Sequence, residues 1–231
     1  MNAPYPLAAV AELIGEPVRA AMLIALSDGR ALPAGELARV ARISAQSASG
    51  HLGKLVVGGL LAVWSEGRHR YYKLASAEVG HALEALGAIS TKGREPGADR
   101  PPETKALHQA RLCYDHLAGR VGVEIASAFE RSGLIRTAGE REYELGPKGE
   151  SGFAALGLDP SVLRRSRRSF ARRCLDWTER KPHLAGALGA ALCARLIELE
   201  WLARQPKTRA LRITHRGERE LKERFGIVVA S

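Results

Sequence analysis

A cysteine and a histidine occur together twice in the second half of the sequence. Cys113 precedes His116 in the first segment, Cys174 precedes His183 in the second, and each segment also holds an aspartate. Two thiolates and two imidazoles form a ligand set that suits a soft or borderline ion such as zinc, cadmium or lead. The four residues can bind such an ion together only if the fold brings the segments face to face.

The same residues allow other interpretations. Free cysteines are usually buried as small apolar side chains, and a histidine in this context can cap a helix or satisfy a backbone group. A small organic effector, held between the segments by Tyr114, Trp177 and Trp201, is a further alternative. A cysteine beside a histidine could also be a nucleophile, but no third orienting group or oxyanion loop stands out, so we expect no enzyme.

The two segments belong to an internal repeat. Leu-Ala-Gly follows the histidine in both copies, and His183 follows His116 by 67 residues. Each copy is predicted to form a helix, two short strands and a second helix. A helix over residues 159–177 is expected to join the copies, with six arginines in residues 164–173. These arginines either extend a phosphate contact or pair with acidic residues of the other lobe.

The composition fits a globular protein in a reducing compartment. The 231 residues are 45% hydrophobic, carry a net charge of +10 and include three cysteines, too few for a disulfide framework. We expect no membrane span, since no apolar stretch reaches about 18 residues, and no secretory signal, since the first residues lack positive charge. The protein is therefore predicted to be cytoplasmic, and its charge is compatible with a polyanionic partner such as DNA.

A linker is predicted between two domains. Residues 91–104 lack apolar periodicity and are rich in glycine, proline and charge. They separate a first domain, residues 1–90, from a second, residues 105–231. The second is predicted to be an effector domain built from the two repeated lobes.

The first domain has the element order of a winged helix-turn-helix. Hydrophobic periodicity predicts helices over residues 7–14, 17–26, 33–40 and 45–57. Ser44 is the expected N-cap of the last of these helices, and Gly58 and Gly59 end it. Two short strands, residues 60–65 and 70–74, then form a hairpin, and a closing helix runs to about residue 89. In such a motif the second helix of the pair enters the major groove of DNA.

Residues 35–74, from GELARVARIS to RHRYYKL, resemble the recognition helix and wing of the ArsR/SmtB repressors. The shared pattern is a small polar cluster, a His-Leu pair at His51, Lys54, and a Gly-Leu pair at Gly59 before the wing. The resemblance covers about residues 8–89, and the Cys and His segments are similar to longer members of the family. It implies a homodimer that binds a pseudo-palindromic operator. The thiolate metal sites of the small members cannot be carried over, because neither residues 35–43 nor residues 45–57 contain a cysteine.

The DNA-binding residues are expected on the exposed face of the recognition helix and on the wing. They are Ser44, Gln46, Ser47, Ser49, His51, Lys54, Arg68 and Arg70. Gln46 can pair with adenine, hydroxyl groups can reach phosphates or base edges, and the cations neutralise phosphates. Between residues 39 and 73, six basic side chains are opposed by Glu66 alone, so basic charge is concentrated in this motif.

The core and the dimer contacts are predicted from apolar spacing. Leu37, Leu52, Leu55 and Val56 are expected to be buried beneath the recognition helix. Apolar stripes on the first and closing helices are longer than a small core needs, and either form the dimer contact or cover the second domain. Their residues are Leu7, Val10, Ala11 and Ile14, and Val79, Leu83, Leu86 and Ile89.

The sequence thus predicts a mainly α fold with short β hairpins, of the α+β class. The predicted function is a DNA-binding transcriptional repressor that is released from its operator by an effector sensed in the second domain. The alternatives are a repressor that responds to zinc, cadmium or lead through Cys113, His116, Cys174 and His183, and a cysteine-dependent enzyme.

Overall fold

The computed structural model describes residues 6–67, 69–90, 102–206 and 208–229. They form two compact units, Met1–Leu83 and Glu84–Ser231. Helices alternate with short antiparallel strands, which confirms the expected α+β class. Among the described residues, none of the helices combines the length and the apolar character that a membrane crossing requires.

The first unit is a winged helix-turn-helix. Its elements are α1 (Pro6–Gly15), α2 (Pro17–Ala25), β1 (Leu32–Pro33), α3 (Ala34–Val40), α4 (Ala45–Val57), β2 (Leu61–Glu66), β3 (His69–Leu74) and the start of α5 (Ala77–Ser90). The three strands form one antiparallel sheet in the order β1-β3-β2. The β2-β3 hairpin is the wing, and α3 with α4 forms the helix-turn-helix.

Local signals set the bounds of α4. Ser44 is extended and its hydroxyl accepts a hydrogen bond from the Ser47 amide at 3.1 Å, which confirms the predicted N-cap. The helix ends at Val57, as expected, and Gly59 follows with φ of +72°. Because that backbone conformation is strained for residues with a Cβ, glycine at this position stops the helix before β2.

The buried face of α4 anchors it to the rest of the unit. Leu52 and Leu55 are fully buried with Leu37 of α3, as predicted, whereas Val56 is only half-buried. Leu74 of β3 closes the same core from the wing. Each leucine buried to this extent contributes roughly 1.5–3 kcal/mol to stability, so Leu52 and Leu55 fix the position of α4 firmly.

The second unit repeats one order of elements: two strands, a helix, two strands and a helix. The first copy contains β4 (Arg111–Cys113), β5 (His116–Ala118), α7 (Arg120–Ser132), β6 (Ile135–Ala138), β7 (Glu142–Leu145) and α8 (Gly149–Ala154). The second contains β8 (Arg172–Leu175), β9 (Pro182–Ala185), α10 (Gly186–Glu198), β10 (Leu202–Arg204), β11 (Leu211–Ile213) and α11 (His215–Phe225). Helices α6 (Pro102–Gln109) and α9 (Pro160–Leu163) precede the two copies.

The two copies are interleaved rather than separate lobes. The closing hairpin of the first copy joins the opening hairpin of the second in one sheet, β6-β7-β8-β9. Reciprocally, the bridge between Arg111 and Ala210 connects β4 to the chain just before β11. The core of the unit is therefore shared by both copies and includes Phe129 and Phe153, whose rings meet edge to face at 5.4 Å.

Each Leu-Ala-Gly segment makes a sharp change from strand to helix. Gly119 and Gly186 have φ of +83° and +81°, where other residues are strained. A Cβ on Gly186 would also lie 2.6 Å from the Ser169 carbonyl oxygen. These glycines let α7 and α10 start directly at the ends of β5 and β9.

The predicted joining helix over residues 159–177 is wrong. Only Pro160–Leu163 is helical there, and Arg172–Leu175 forms a strand that pairs with β9. The apolar spacing predicted a helix, but backbone pairing with β9 across the following turn, and with β7, determines the conformation of this segment. The arginine-rich stretch is consequently not a basic helix.

The linker prediction lies mostly outside the described residues. Residues 91–101 are not described, and residues 102–104 belong to α6 rather than to an irregular segment.

Candidate nucleic-acid interface and cysteine-histidine centre

Helix α4 exposes a row of polar side chains on the face opposite its buried leucines. Gln46, Ser47, Ser49 and Lys54 are all exposed, while Ala48 between them is buried. An exposed glutamine can form two hydrogen bonds with adenine, and lysine can neutralise a phosphate. The arrangement therefore offers both base-reading and backbone-binding groups on one helix face.

Ser44 and His51, both predicted DNA-binding residues, also contact other parts of the unit. The hydroxyl of Ser44 caps α4, as described above. Nδ1 of the half-buried His51 lies 3.2 Å from Oε2 of Glu16, the N-cap of α2. A hydrogen bond from the Arg19 amide and the nearby His51 lower the pKa of Glu16 below its ordinary value. Both side chains thus help to hold α4 in place.

The wing carries exposed basic residues beside aromatic rings. Arg70 is exposed and lies over Tyr72, with 5.9 Å from Cζ to the ring centroid. Lys73 lies over Trp64 at 5.6 Å, and Trp64 in turn stacks on Tyr71. Lys73 was not among the predicted site residues, although it belongs to the basic stretch between residues 39 and 73 that indicated a DNA-binding surface. Arg68 lies outside the described residues.

The cysteine-histidine segments meet in the second unit. Cys113 pairs with His116 across the β4-β5 hairpin, and Cys174 pairs with His183 across the β8-β9 hairpin. Directly opposed residues share one face of a pleated sheet, so each hairpin presents a thiol and an imidazole together. Strands β5 and β9 lie against each other, which brings the four side chains into one centre.

The centre is compact and closed to solvent. The Sγ atoms of Cys113 and Cys174 are 4.0 Å apart, and the rings of His116 and His183 stack with centroids 5.1 Å apart. One ligand atom from each of the four residues lies within 4.8 Å of the others. All four residues are buried. The structure thus brings together the four residues that the sequence singled out for metal binding.

Each histidine is backed by an aspartate. Nδ1 of His116 lies 3.2 Å from Oδ1 of Asp115, and Nδ1 of His183 lies 3.6 Å from Oδ2 of Asp176. Arg168 pairs with Asp115 at 2.5 Å, so one of the arginines in the arginine-rich stretch binds an acid of the other copy. Burial opposes ionisation of Asp115, but His116 and Arg168 lower the pKa of its carboxyl to about 2.

Asp176 is held by a buried ion network. Its Oδ2 accepts hydrogen bonds from the Gly119 amide at 2.6 Å and from Arg111 at 3.0 Å. The guanidinium of Arg111 also pairs with Oε2 of Glu84. Arg209 pairs with Oε1 of the same carboxylate. Burial again opposes the charged form, yet these partners keep the pKa of both acids below ordinary values. Glu84 is therefore held within this network on both sides of its carboxylate.

Two thiols of the second unit, Cys113 and Cys193, have raised pKa values. The hydrogen bond with Cys174 and burial raise the pKa of Cys113 to about 12. Burial raises the pKa of Cys193, the remaining cysteine, to about 12 as well. Because the thiolate is the nucleophilic form, these environments do not activate either sulfur for catalysis.

Two comparisons with known sequences decide the family. Residues 14–63 match a family model described as a helix-turn-helix domain. A protein of Bacillus subtilis (strain 168), named as the uncharacterized HTH-type transcriptional regulator YdfF, is 43% identical over 223 residues. That alignment covers 96% of this chain and 98% of the relative. The chain belongs to the HTH-type transcriptional regulators. Its first unit is a winged helix-turn-helix.

Solved structures are similar to about a third of the regulator. HlyU from Vibrio cholerae is 27% identical, with a TM-score of 0.34, over 36% of this chain and 90% of its own. The transcriptional repressor BigR from Xylella fastidiosa is 25% identical, with a TM-score of 0.34, over 36% of this chain and 84% of its own.

The three aromatic residues predicted to bind an organic effector each have a different environment in the regulator. Trp201 is buried in the core against Phe225 and borders a cavity of about 90 Å³, far below the roughly 300 Å³ of a ligand pocket. Trp177 lies against Arg111, 5.0 Å from Cζ to the ring centroid. Tyr114 lies in the β4-β5 turn with φ of +61°. Trp201 is in fact a core residue, as large aromatic side chains often are.

Proposed function

We propose that the regulator is a cytoplasmic, dimeric repressor that binds a pseudo-palindromic operator and is released by an effector sensed in the second unit. The observation that carries the proposal is the exposed polar face of α4, next to a wing that carries Arg70 and Lys73. A helix with a buried leucine face and an exposed face of hydrogen-bonding groups suits the major groove, while a basic wing suits phosphates.

Dimerisation is supported by apolar side chains that the chain leaves exposed. Leu7 on α1 is 76% exposed, and Leu86 and Ile89 on α5 are 47% and 62% exposed. Exposed apolar residues grouped in stripes mark contact surfaces rather than ordinary solvated positions. Two copies related by a two-fold axis would place their α4 helices about 34 Å apart, one turn of DNA.

The test is a comparison of two duplexes of equal length. An operator selected from random duplexes should be recovered as an inverted repeat, and the regulator should bind it at least about 10³-fold more tightly than a scrambled duplex. Sedimentation of the complex should give two chains per operator. Equal affinity for both duplexes would indicate an architectural or RNA-binding protein and would contradict the repressor.

A second candidate is a repressor whose effector is a metal ion. The buried group of Cys113, His116, Cys174 and His183 favours it over an organic ligand, because its four donor atoms are close together. Coupling between effector and operator typically amounts to about 1–3 kcal/mol, which is enough to empty an operator. Gel shifts with zinc, cadmium or lead ions, compared with a chelator, measure this coupling directly.

A further inference from the structure

The four residues of the centre occupy equivalent places in the two copies of the repeat. In each opening hairpin the cysteine is paired with the histidine, although the turn between the two strands is two residues long in one hairpin and six in the other. The small residues Ala118 and Ala185 pack with the two cysteines and let the hairpins approach. The fold therefore combines two half-sites of the same composition into one centre.

The spacing of the donor atoms fits a tetrahedral ion. Zinc binds thiolates at about 2.3 Å, which places two sulfur ligands of a tetrahedron roughly 3.8 Å apart. The observed Sγ to Sγ distance is 4.0 Å. A disulfide requires about 2.05 Å, so the two sulfurs stand at the separation of co-ligands rather than of a bonded pair.

One donor atom of the centre is buried without a hydrogen bond from the described part of the chain. Nε2 of His183 is buried and has no hydrogen-bond partner among the described residues. A buried polar atom without a hydrogen-bond partner destabilises the folded chain unless something binds it. With Asp176 on the Nδ1 side, the remaining nitrogen of this ring is left for a ligand in the centre.

The charges of the centre balance when it holds a divalent ion. Each thiol loses its proton to solvent on binding, and the two imidazoles bind as neutral rings, so two thiolates cancel a charge of +2. The aspartates behind the histidines are balanced separately, Asp115 by Arg168 and Asp176 by Arg111. A filled centre therefore adds no net charge to a site that excludes water.

We infer that Cys113, His116, Cys174 and His183 bind one divalent ion of the zinc class, Zn²⁺ or Cd²⁺, which fastens the two copies of the repeat together. Two thiolates with two imidazoles in a tetrahedron select these ions over Mg²⁺ or Ca²⁺, which prefer oxygen ligands. Ion binding does not require DNA binding, so this inference stands apart from the proposed repressor function.

The experiment measures metal in the full-length chain without DNA. After loading with Zn²⁺ and removal of excess ion, we expect elemental mass spectrometry to find about one zinc ion per chain. Replacement by Co²⁺ should give the intense visible bands of tetrahedral cobalt and the near-ultraviolet bands of thiolate bonds to cobalt. Loading should also raise the melting temperature, because the ion binds the folded chain.

Matched variants locate the site. Cys113→Ala combined with Cys174→Ala should lose the ion and the thiolate bands, whereas Cys193→Ala, which removes a buried cysteine outside the centre, should keep both. Zinc retained by the double variant, or no zinc bound by the wild-type chain, would overturn the inference. If the double variant does not fold, the cobalt spectrum of the wild-type chain decides: bands of an octahedral oxygen site would overturn it too.

Discussion

At the scale of single residues, the proposed DNA-binding face carries side chains suited to base reading and others suited to phosphate binding. Gln46 and Lys54 are both exposed on α4, and Arg70 is exposed on the wing. An amide distinguishes adenine from other bases in the major groove, while an ammonium or guanidinium neutralises a phosphate of any sequence. These roles give different signatures when each side chain is removed.

Lys54→Ala and Arg70→Ala should each weaken binding to operator and scrambled DNA alike. Each should also reduce the slope of log K against log salt by about 1, because one fewer counterion is released. Arg212→Ala, which removes an exposed arginine of the second unit, is the control and should change neither quantity. The measurement is fluorescence anisotropy on both duplexes over a series of salt concentrations.

Gln46→Ala should cost about 1–3 kcal/mol on the operator and relax the preference at one base pair. Binding of the scrambled duplex should barely change, because the lost contact reads a base. Anisotropy on operators with each base pair substituted in turn will locate the affected position. Equal losses on operator and scrambled DNA would contradict base reading by Gln46.

The buried ion network makes a prediction about acid stability. Glu84 is nearly fully buried between Arg111 and Arg209, and its pKa lies below the ordinary value of 4.5. The network therefore stabilises the fold above that pH and loses its effect as the pH falls through the lowered pKa of the folded state. Glu84→Gln should lower the stability by about 3–5 kcal/mol at pH 7, because it leaves arginines without their charge partner.

The difference between Glu84→Gln and the wild-type chain should shrink as the pH falls below about 4.5. Urea unfolding at pH 7 and at acidic pH measures this difference in the free energy of unfolding. Glu198→Gln, which removes an exposed partner of Arg195, is the control and should change stability by less than about 1 kcal/mol at either pH. A deficit for Glu84→Gln that stays constant with pH would refute the role of its charge.

At the scale of elements, local signals predicted α4 and failed at β8. Ser44 and Gly59 mark the ends of the recognition helix in the sequence itself, because capping and positive φ depend on nearby residues. Strand β8 depends on pairing with β7, which is distant in sequence, and with β9, which follows it after an irregular turn. Helical spacing of Leu163, Phe170 and Cys174 therefore misled, since spacing carries no information about partners.

The cap of the recognition helix can be tested in isolation from DNA. Ser44→Ala should reduce stability by about 1 kcal/mol, because the Ser47 amide loses its acceptor. Ser49→Ala is a matched control, since its hydroxyl bonds only back to the Ala45 carbonyl within the helix. Urea unfolding monitored by circular dichroism compares the two variants, and equal midpoints would show that the cap contributes nothing.

At the scale of the whole molecule, the internal repeat made the candidate cysteine-histidine centre predictable. The buried ion network behind the centre was not predictable. Equivalent segments placed Cys113 and Cys174 in one candidate ligand set, on the condition that the segments face each other, and the interleaved hairpins bring the two sulfurs to 4.0 Å. Nothing in the sequence linked Arg111 to Glu84 and Asp176, because a buried ion network joins residues far apart along the chain. The exchange of hairpins between copies was likewise invisible to local patterns.

The central claim is that helix α4 lies in the major groove of the operator. Methylation by dimethyl sulfate reports it directly, because the reagent attacks guanine N7 in the major groove and adenine N3 in the minor groove. We predict that the bound regulator protects guanine N7 in two patches about one helical turn apart, and that Gln46→Ala weakens protection in both. Protection confined to adenine N3, or none at guanine N7, would contradict the account.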